Sequence, residues 1–356
     1  MVKVMHSTQR ARHLTCMLAL LLAGVASTAR AGMGLTELPG PAQDGPVTVY
    51  YPTQEAEQTV TRGPFQLRLA LHASPQRGNG QLVVISHGSG GAPWVHADLA
   101  RALVEAGYTV ALPEHKQDNY RDSSEPGPPS WKLRPAEISR AIDAVAADAR
   151  FGSQLSLERV GVFGGSAGGH TALSLAGGRW SPGGFRRHCE AHIEDDFSSC
   201  VGYTTRLRGN LLDGLKKAVA LGVIRHRFGD DTWYSHADPR VAAAIAAVPF
   251  AADFDMASLA QPRIPLGLVT AGKDINQVPR FHSGAVLAVC TVCETVADFA
   301  DGSHGVMLSP IPPLAVMNSL ARELNGDPPG FDRLTAVTRL NGAVVHFFRQ
   351  HLHTAQ

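Results

Sequence analysis

Residues 164–168 read Gly-Gly-Ser-Ala-Gly and place a serine, Ser166, among small neighbours. The apolar run 159–163 before them is typical of a short buried strand, and the stretch from His170 onward is typical of a helix. A serine at a sharp strand-to-helix turn points its hydroxyl away from the sheet, and small neighbours let strand and helix approach closely. We therefore predict that Ser166 is a nucleophile, with His170 supporting the turn.

A second motif, His-Gly-Ser-Gly-Gly at residues 87–91, directly follows the apolar segment 81–86. Attack by a serine on a carbonyl creates an oxyanion, which needs N–H donors held about 3 Å away. The backbone amides of Ser89 and Ala167 are the predicted donors, and His87 is interpreted as a structural support. Alternatives for the loop are an ordinary tight turn or a phosphate-binding loop, but the latter would require G-x-G-x-x-G or a following Lys-Ser/Thr.

A base and an acid are expected after the serine in the chain. Asp274 follows the apolar strand 264–271 at its carboxyl end, where the functional groups of open parallel sheets collect. His304 comes next and is predicted to take the serine's proton, while Asp274 orients the imidazole. Asp298 and Asp301 remain the alternative acids.

The order of elements predicts how these residues are positioned. Strands alternate with helices, which indicates a mostly parallel sheet in an α/β fold. A single domain is expected over residues 32–356, with an insertion at about 177–239. The predicted strands are residues 46–52, 65–71, 81–86, 108–112, 159–163, 243–250, 264–271 and 294–299, and the predicted helices are residues 95–106, 135–147, 170–176, 279–289 and 334–352.

On residues 87–91 and 164–168, with Asp274 followed by His304, the chain resembles the α/β-hydrolase superfamily. Within it, the chain is similar to secreted dienelactone hydrolases and platelet-activating-factor acetylhydrolases, over most of its length. The resemblance implies a parallel central sheet flanked by helices and a Ser-His-Asp hydrolase that acts on a small-molecule ester without cofactor or metal. Three features depart from it. A serine replaces the cysteine of dienelactone hydrolases, and Gly165 replaces a histidine and would leave space beside the nucleophile. The insertion at about 177–239 has no counterpart in the family and is expected to form a lid over the substrate.

Side chains of two loops are expected to cover the crevice. Trp131 and Trp180 are the candidate substrate-binding residues, and Phe185, Trp233 and Tyr234 could add apolar walls for an acyl chain. The cationic side chains of the same loops are interpreted as a solvated face rather than an anion site. They are Arg179, Arg186, Arg187, Arg206, Arg208, Lys216 and Lys217.

Three functions are compatible with these motifs. Hydrolysis of a carboxylic ester comes first, an amidase or peptidase would use the same triad, and a non-catalytic binding protein could share the fold. The formal net charge of +1 offers no electrostatic argument for nucleic-acid binding.

The first residues have the features of a secretory signal. Lys3, Arg10 and Arg12 precede an apolar run at residues 14–26, and Ala-Arg-Ala at residues 29–31 provides a cleavage site. We predict a signal peptide over residues 1–31, a secreted or periplasmic product, and no membrane span in the mature chain. An uncleaved N-terminal anchor is the alternative, although the run is short for one.

Four cysteines follow the predicted signal, which itself contains Cys16. An even number in an oxidising compartment predicts two disulfides, Cys189–Cys200 and Cys290–Cys293. Cys290 and Cys293 could instead form half of a zinc site or a redox pair. A zinc site would need a second C-x-x-C or a histidine pair beside these cysteines, and the redox motif normally begins a helix.

Overall fold

The structure, a computed structural model, describes residues 32–41 and 44–353. The predicted signal peptide and Cys16 lie outside these ranges. Among the described residues, none of the helices combines the length and apolar character that crossing a membrane requires.

The strands of the described residues form one sheet in the order β10-β9-β8-β7-β5-β6-β2-β1-β4-β3. The six strands from β10 to β6 run parallel, whereas β2 pairs antiparallel with β6 and β1. The sheet is therefore mostly parallel where the predicted site lies, as expected. The strands are β1 (Gly32–Leu38), β2 (Val47–Thr53), β3 (Gln58–Arg62), β4 (Phe65–Leu71), β5 (Leu82–Ser86), β6 (Thr109–Pro113), β7 (Val160–Gly165), β8 (Val241–Ala247), β9 (Leu266–Ala271) and β10 (Glu294–Phe299).

Helices cover both faces of the sheet, so that two apolar layers are buried, one on each side. Helices α2 and α3 contribute to one layer, and α1 and α10 contribute to the other. The helices are α1 (Ala97–Glu105), α2 (Pro128–Ala147), α3 (Ala167–Leu175), α4 (Pro182–His192), α5 (Phe197–Val201), α6 (Asp213–Arg227), α7 (Met256–Leu259), α8 (Ser283–Val289), α9 (Ser319–Asn325) and α10 (Arg333–Leu352).

The structure differs from the sequence prediction in several elements. β1 and β3 were not predicted, because β1 contains two glycines and β3 is a largely exposed, polar edge strand. The helices α4, α5, α6, α7 and α9 were not predicted either. Helix α2 begins at Pro128, seven residues before the predicted start at Pro135. Two prolines open this helix, where a missing N–H costs no hydrogen bond, and Pro135 lies inside it.

Helices α4, α5 and α6 lie within the predicted insertion, between α3 and β8. The Cys189–Cys200 disulfide joins α4 to α5, and the Cys290–Cys293 disulfide lies between α8 and β10. Both predicted pairings are therefore formed, and the pairing of Cys290 with Cys293 leaves neither thiolate free for zinc.

His96 ends the short 3₁₀ helix Pro93–His96 with its imidazole fully buried, and neither ring nitrogen has a hydrogen-bond partner among the described residues. Burial disfavours the charged ring and lowers the pKa of His96 to about 4. In the unfolded chain the ring is protonated below about pH 6.5. Burial of the neutral His96 ring therefore stabilises the fold fully above about pH 6.5, and this stabilisation is lost as the pH falls toward 4.

The His96→Leu variant should consequently lose part of the acid sensitivity of the wild type. Between pH 6.5 and pH 4, we expect the wild-type free energy of unfolding to fall by up to about 1.4 kcal/mol per pH unit more steeply than that of the variant. Urea unfolding at several pH values measures the two slopes. His226→Leu, at an exposed histidine, is the control and should keep the wild-type slope. Parallel slopes for wild type and His96→Leu would contradict this assignment.

Candidate active site

Ser166 lies at the turn between β7 and α3 with φ of 56° and ψ of −116°, a conformation that non-glycine residues rarely adopt. A Cβ at Gly164 would lie 1.9 Å from the carbonyl oxygen of Gly168, and one at Gly168 would lie 2.0 Å from that of Ser86. Only glycine fits at these two positions, because strand and helix are in backbone contact. The turn is therefore the strained serine turn that the sequence predicts.

The three residues of the predicted triad lie in one chain of hydrogen bonds. His304 Nε2 is 3.0 Å from Ser166 Oγ, and His304 Nδ1 is 2.7 Å from Asp274 Oδ2. The other carboxylate oxygen, Oδ1, accepts the backbone N–H groups of Asn276 and Gln277, each at 2.8 Å. All three triad side chains are buried. This arrangement holds the imidazole in one orientation, with a lone pair or proton of Nε2 directed at the serine.

The two alternative acids lie elsewhere. Asp298 accepts a hydrogen bond from Thr270 Oγ1 at an exposed position, and Asp301 pairs with Lys273 at 2.9 Å with its side chain 77% exposed. Neither contacts His304, so the structure brings only Asp274 to the imidazole.

The loop at residues 87–91 lies beside the serine, since a Cβ on Gly88 would be 3.4 Å from Ser166 Cβ. The Gly90 amide donates to Asp118 and the Gly91 amide donates to the Gly88 carbonyl. For the Ser89 N–H, no acceptor is found in the described part of the chain. The first N–H groups of a helix also have no acceptor within it, and Ala167 begins α3. The N–H groups of both predicted oxyanion donors therefore lie next to Ser166 without an acceptor in the described part of the chain.

A buried ion pair holds this loop in place. Asp118 accepts hydrogen bonds from Ser89 Oγ at 2.6 Å and from the Gly90 amide at 2.9 Å. Arg134 donates to Asp118 Oδ2 at 2.8 Å and to the His87 carbonyl at 2.6 Å, and neither charged side chain is exposed. Although burial alone would raise the pKa of Asp118, the guanidinium and the two hydrogen bonds lower it. Sequence reasoning missed both residues, because Asp118 and Arg134 belong to no motif whose residue types and spacing predict a role.

A second buried network underlies the same loop. His115 lies 2.7 Å from Ser86 Oγ through Nε2 and 2.5 Å from Glu137 through Nδ1. The His115 amide donates to His87 Nε2, which leaves the proton of that ring on Nδ1, 2.8 Å from the Gly88 carbonyl. Burial lowers the pKa of both histidines, so both rings are neutral, and burial raises the pKa of Glu137. His87 thus supports the loop, as the sequence suggested.

His170 also has a structural environment. Its Nε2 lies 3.1 Å from Asp253 Oδ2, and its ring stacks on Trp131 with centroids 4.5 Å apart. The predicted space beside Gly165 is filled by Met307, because a Cβ at Gly165 would lie 2.6 Å from its sulfur. The glycine therefore makes room for a neighbouring side chain and opens no subsite.

A cavity of about 660 Å³ extends from the serine toward the insertion. Ser166, Ser89 and Ala167 lie at one end, and Trp131 and Phe185 form part of its walls. A volume of this size suits a small organic ligand. Most of the other lining residues, including Phe250 and one side of α6, were not predicted, since nothing in the sequence shows which face of the insertion is turned inward.

Trp180 does not line this cavity, and the prediction that it contacts substrate is not supported by its position. Its indole is 1% exposed and packs edge-on behind Trp131, with centroids 5.9 Å apart. Trp233 is 48% exposed, and Tyr234 packs on Trp180 with centroids 5.4 Å apart. Trp180 and Tyr234 therefore support the cavity wall from behind Trp131, whereas Trp233 lies at the surface.

Most of the cationic side chains of the insertion have acidic partners on the surface. They pair as Arg179–Asp255, Arg186–Asp231, Arg187–Asp231, Arg208–Glu323, Lys216–Asp213 and Lys217–Glu194. Arg206 differs, since it is 5% exposed and donates to the carbonyls of Gly202 and Thr205. Arg206 is therefore an exception to the prediction that these cationic side chains form a solvated face.

His188, Asp196 and His282 lie close enough together to be considered for a metal ion. Asp196 Oδ2, however, accepts hydrogen bonds from both imidazoles at 2.7 and 2.9 Å. The Ala251 N–H donates to Nδ1 of His282, so the proton of that ring is on Nε2, the atom that a metal would need. Burial opposes the charge of Asp196, but the hydrogen bonds outweigh it and lower its pKa. The cluster is therefore better explained as a buried carboxylate that accepts hydrogen bonds from two imidazoles than as a metal centre.

Comparison with known proteins agrees with this architecture. No family model and no curated protein matches the chain. Among solved structures, a ferulic acid esterase from Streptomyces cinnamoneus is similar with a TM-score of 0.57 and 17% sequence identity, over 93% of this chain and 92% of that chain. At this identity the similarity concerns the fold. With its mostly parallel sheet and flanking helices, the chain has the α/β-hydrolase fold.

Proposed function

We propose that the protein is a serine hydrolase that cleaves a carboxylic ester through an acyl-enzyme. The observation that carries the proposal is the hydrogen-bonded chain Asp274–His304–Ser166 at the end of an apolar cavity. The esterase among similar folds favours an ester over other acyl compounds.

In this mechanism, Ser166 Oγ attacks the ester carbonyl while His304 Nε2 takes its proton. The negative charge that develops on the carbonyl oxygen is stabilised by the N–H groups of Ser89 and Ala167. His304 then protonates the leaving alcohol, and Asp274 stabilises the imidazolium by accepting from Nδ1. Water hydrolyses the acyl-enzyme by the same steps, with His304 acting as base toward the water.

The Asp274→Asn variant should lose most of its activity with little change in the fold. An amide at this position leaves the imidazole in the wrong tautomer, and losses on the order of 10⁴-fold in kcat are expected for such changes. Steady-state hydrolysis of p-nitrophenyl acetate measures the effect. Asp298→Asn and Asp301→Asn are matched controls that should keep the wild-type rate. If one of them lost activity while Asp274→Asn kept it, the acid would be misassigned.

Ester and amide substrates with the same acyl group separate the first two candidate functions. We expect p-nitrophenyl acetate to be hydrolysed with a much larger kcat/KM than p-nitroacetanilide, and a fluorophosphonate to label one site. Comparable rates on both substrates would favour an amidase. A binding protein without catalytic function would give neither turnover nor label.

We propose further that the protein acts in an oxidising compartment outside the cytoplasm. The two disulfides support this, because such bonds persist mainly in exported proteins. Intact mass of the purified native protein tests both points: it should lack residues 1–31 and show four oxidised thiols.

A further inference from the structure

Helix α6 presents an apolar face that the rest of the described chain does not cover. Leu212, Leu215, Val219 and Val223 recur three or four residues apart and are 50–62% exposed; we call these four residues the α6 stripe. In the same helix only Ile224 is buried. A helix in a globular protein normally turns its apolar stripe to the core, so an exposed stripe indicates a binding function.

The α6 stripe is continuous with the site of the proposed reaction. All four of its residues line the cavity that contains Ser166. A group bonded to a carbonyl at the serine would therefore extend along the stripe. The cationic neighbour Lys216 is paired with Asp213 at 2.7 Å, so it does not require an anionic substrate.

The shape of the stripe indicates what would cover it. Its ends are eleven positions apart, which corresponds to about 16 Å along a helix axis, and it is one helix face wide. Its side chains are aliphatic, and they offer no hydrogen-bond donors or acceptors. A long, narrow and purely apolar surface suits an unbranched hydrocarbon chain better than a sugar, a peptide or a charged headgroup, whose polar groups would be left unpaired.

We propose that the substrate carries an unbranched alkyl chain that lies along the α6 stripe. This inference rests on the proposed function and names its substrate class. The alkyl chain can belong to the acid half or to the alcohol half of the ester, and two series of substrates distinguish these two positions.

The experiment measures kcat/KM for ethyl acetate, butyrate, hexanoate and octanoate, and for butyl, hexyl and octyl acetate, below the solubility limit of each ester. Full burial of a methylene stabilises by about 0.8 kcal/mol, close to a fourfold effect, and a half-open slot should give roughly twofold per added methylene. In the series whose alkyl chain lies along the α6 stripe, kcat/KM should rise in this way with chain length. In the other series, kcat/KM should depend less on chain length.

Val219→Asp places a carboxylate on the stripe, and Val292→Asp is its matched control. The two valines are 57% and 58% exposed, but Val292 precedes the amino end of β10, at the opposite edge of the sheet from Ser166. We expect Val219→Asp to lower the ratio of kcat/KM for the long-chain ester over ethyl acetate by at least about tenfold. Val292→Asp should keep the wild-type ratio.

The outcomes separate this inference from the proposed function. Hydrolysis of ethyl acetate without any rise in either series would overturn the inference and leave the esterase proposal intact, as would an unchanged ratio in Val219→Asp. The octanoate and the octyl acetate are also measured above their solubility limits, and a rise that appears only there would assign the stripe to docking on a lipid surface instead. Failure to hydrolyse any ester would remove both proposals together.

Discussion

Replacing Ser166 by alanine is expected to lower kcat for p-nitrophenyl acetate by about 10⁴-fold or more, because the nucleophile of a triad cannot be replaced by its remaining members. The loss should appear in kcat and not in binding, since the proposed oxyanion donors Ser89 and Ala167 and the cavity walls are unchanged. Labelling by a fluorophosphonate should disappear as well. Thermal unfolding should show a folded protein, because alanine retains the backbone hydrogen bond from residue 166 to the Ala247 carbonyl.

Ser198 supplies the matched control for this variant. It is a second serine that lines the same cavity and is nearly as buried as Ser166, but it has no contact with His304. Ser198→Ala should keep both turnover and labelling. A Ser166→Ala protein that remained active and labelled would show that another residue is the nucleophile.

Replacing Arg134 by methionine should have the largest effect on stability. The change leaves the carboxylate of Asp118 buried without its partner, and breaking a buried ion pair in this way typically costs about 3–5 kcal/mol. Urea unfolding of both proteins measures the difference in free energy. At temperatures where the variant is folded, the rate of ester hydrolysis should also fall, because Asp118 holds the loop that carries Ser89, one of the two proposed oxyanion donors.

Lys132→Met on the same helix is the matched control. Lys132 also pairs with an aspartate, Asp230, whose side chain is 39% exposed, so water can solvate the charge that remains. We expect its effect to be within about 1 kcal/mol. If the two variants destabilised the protein equally, burial of the Arg134–Asp118 pair would not be the cause.

The parallel half of the sheet could be predicted because its strands, such as β5 and β7, are continuous apolar runs between glycine-rich turns. β1 could not, since its two glycines and its Thr-Glu pair interrupt the apolar pattern that identifies the other strands. Chain order and strand ends favoured Asp274 but left Asp298 and Asp301 open, because β10 runs parallel to β9 and its carboxyl end lies at the same edge of the sheet.

The residues that support the site were beyond prediction for a different reason. Asp118 and Arg134 are charged residues without local pattern, and their burial is created only when the loop, α2 and β5 come together. Trp180 shows the opposite error: its residue type suggested a substrate wall, but another tryptophan, Trp131, stands between it and the cavity. Residue type predicts chemistry well, whereas depth below the surface depends on the whole fold.

The cavity is formed by two parts of the chain, the turns that follow the strands and the helices of the insertion, and this bears on how its substrate selectivity can be altered. Ser166, His304, Asp274 and both oxyanion amides belong to the turns of the sheet, whereas helices α4 to α6 contribute much of the opposite wall and none of these groups. Exchange of the segment between α3 and β8 is therefore expected to alter which substrate the cavity accepts without altering the proposed triad. The proposed reactive centre and the cavity wall opposite it are separate modules of one chain, and we expect grafted segments of other lengths to give new selectivities on the same scaffold.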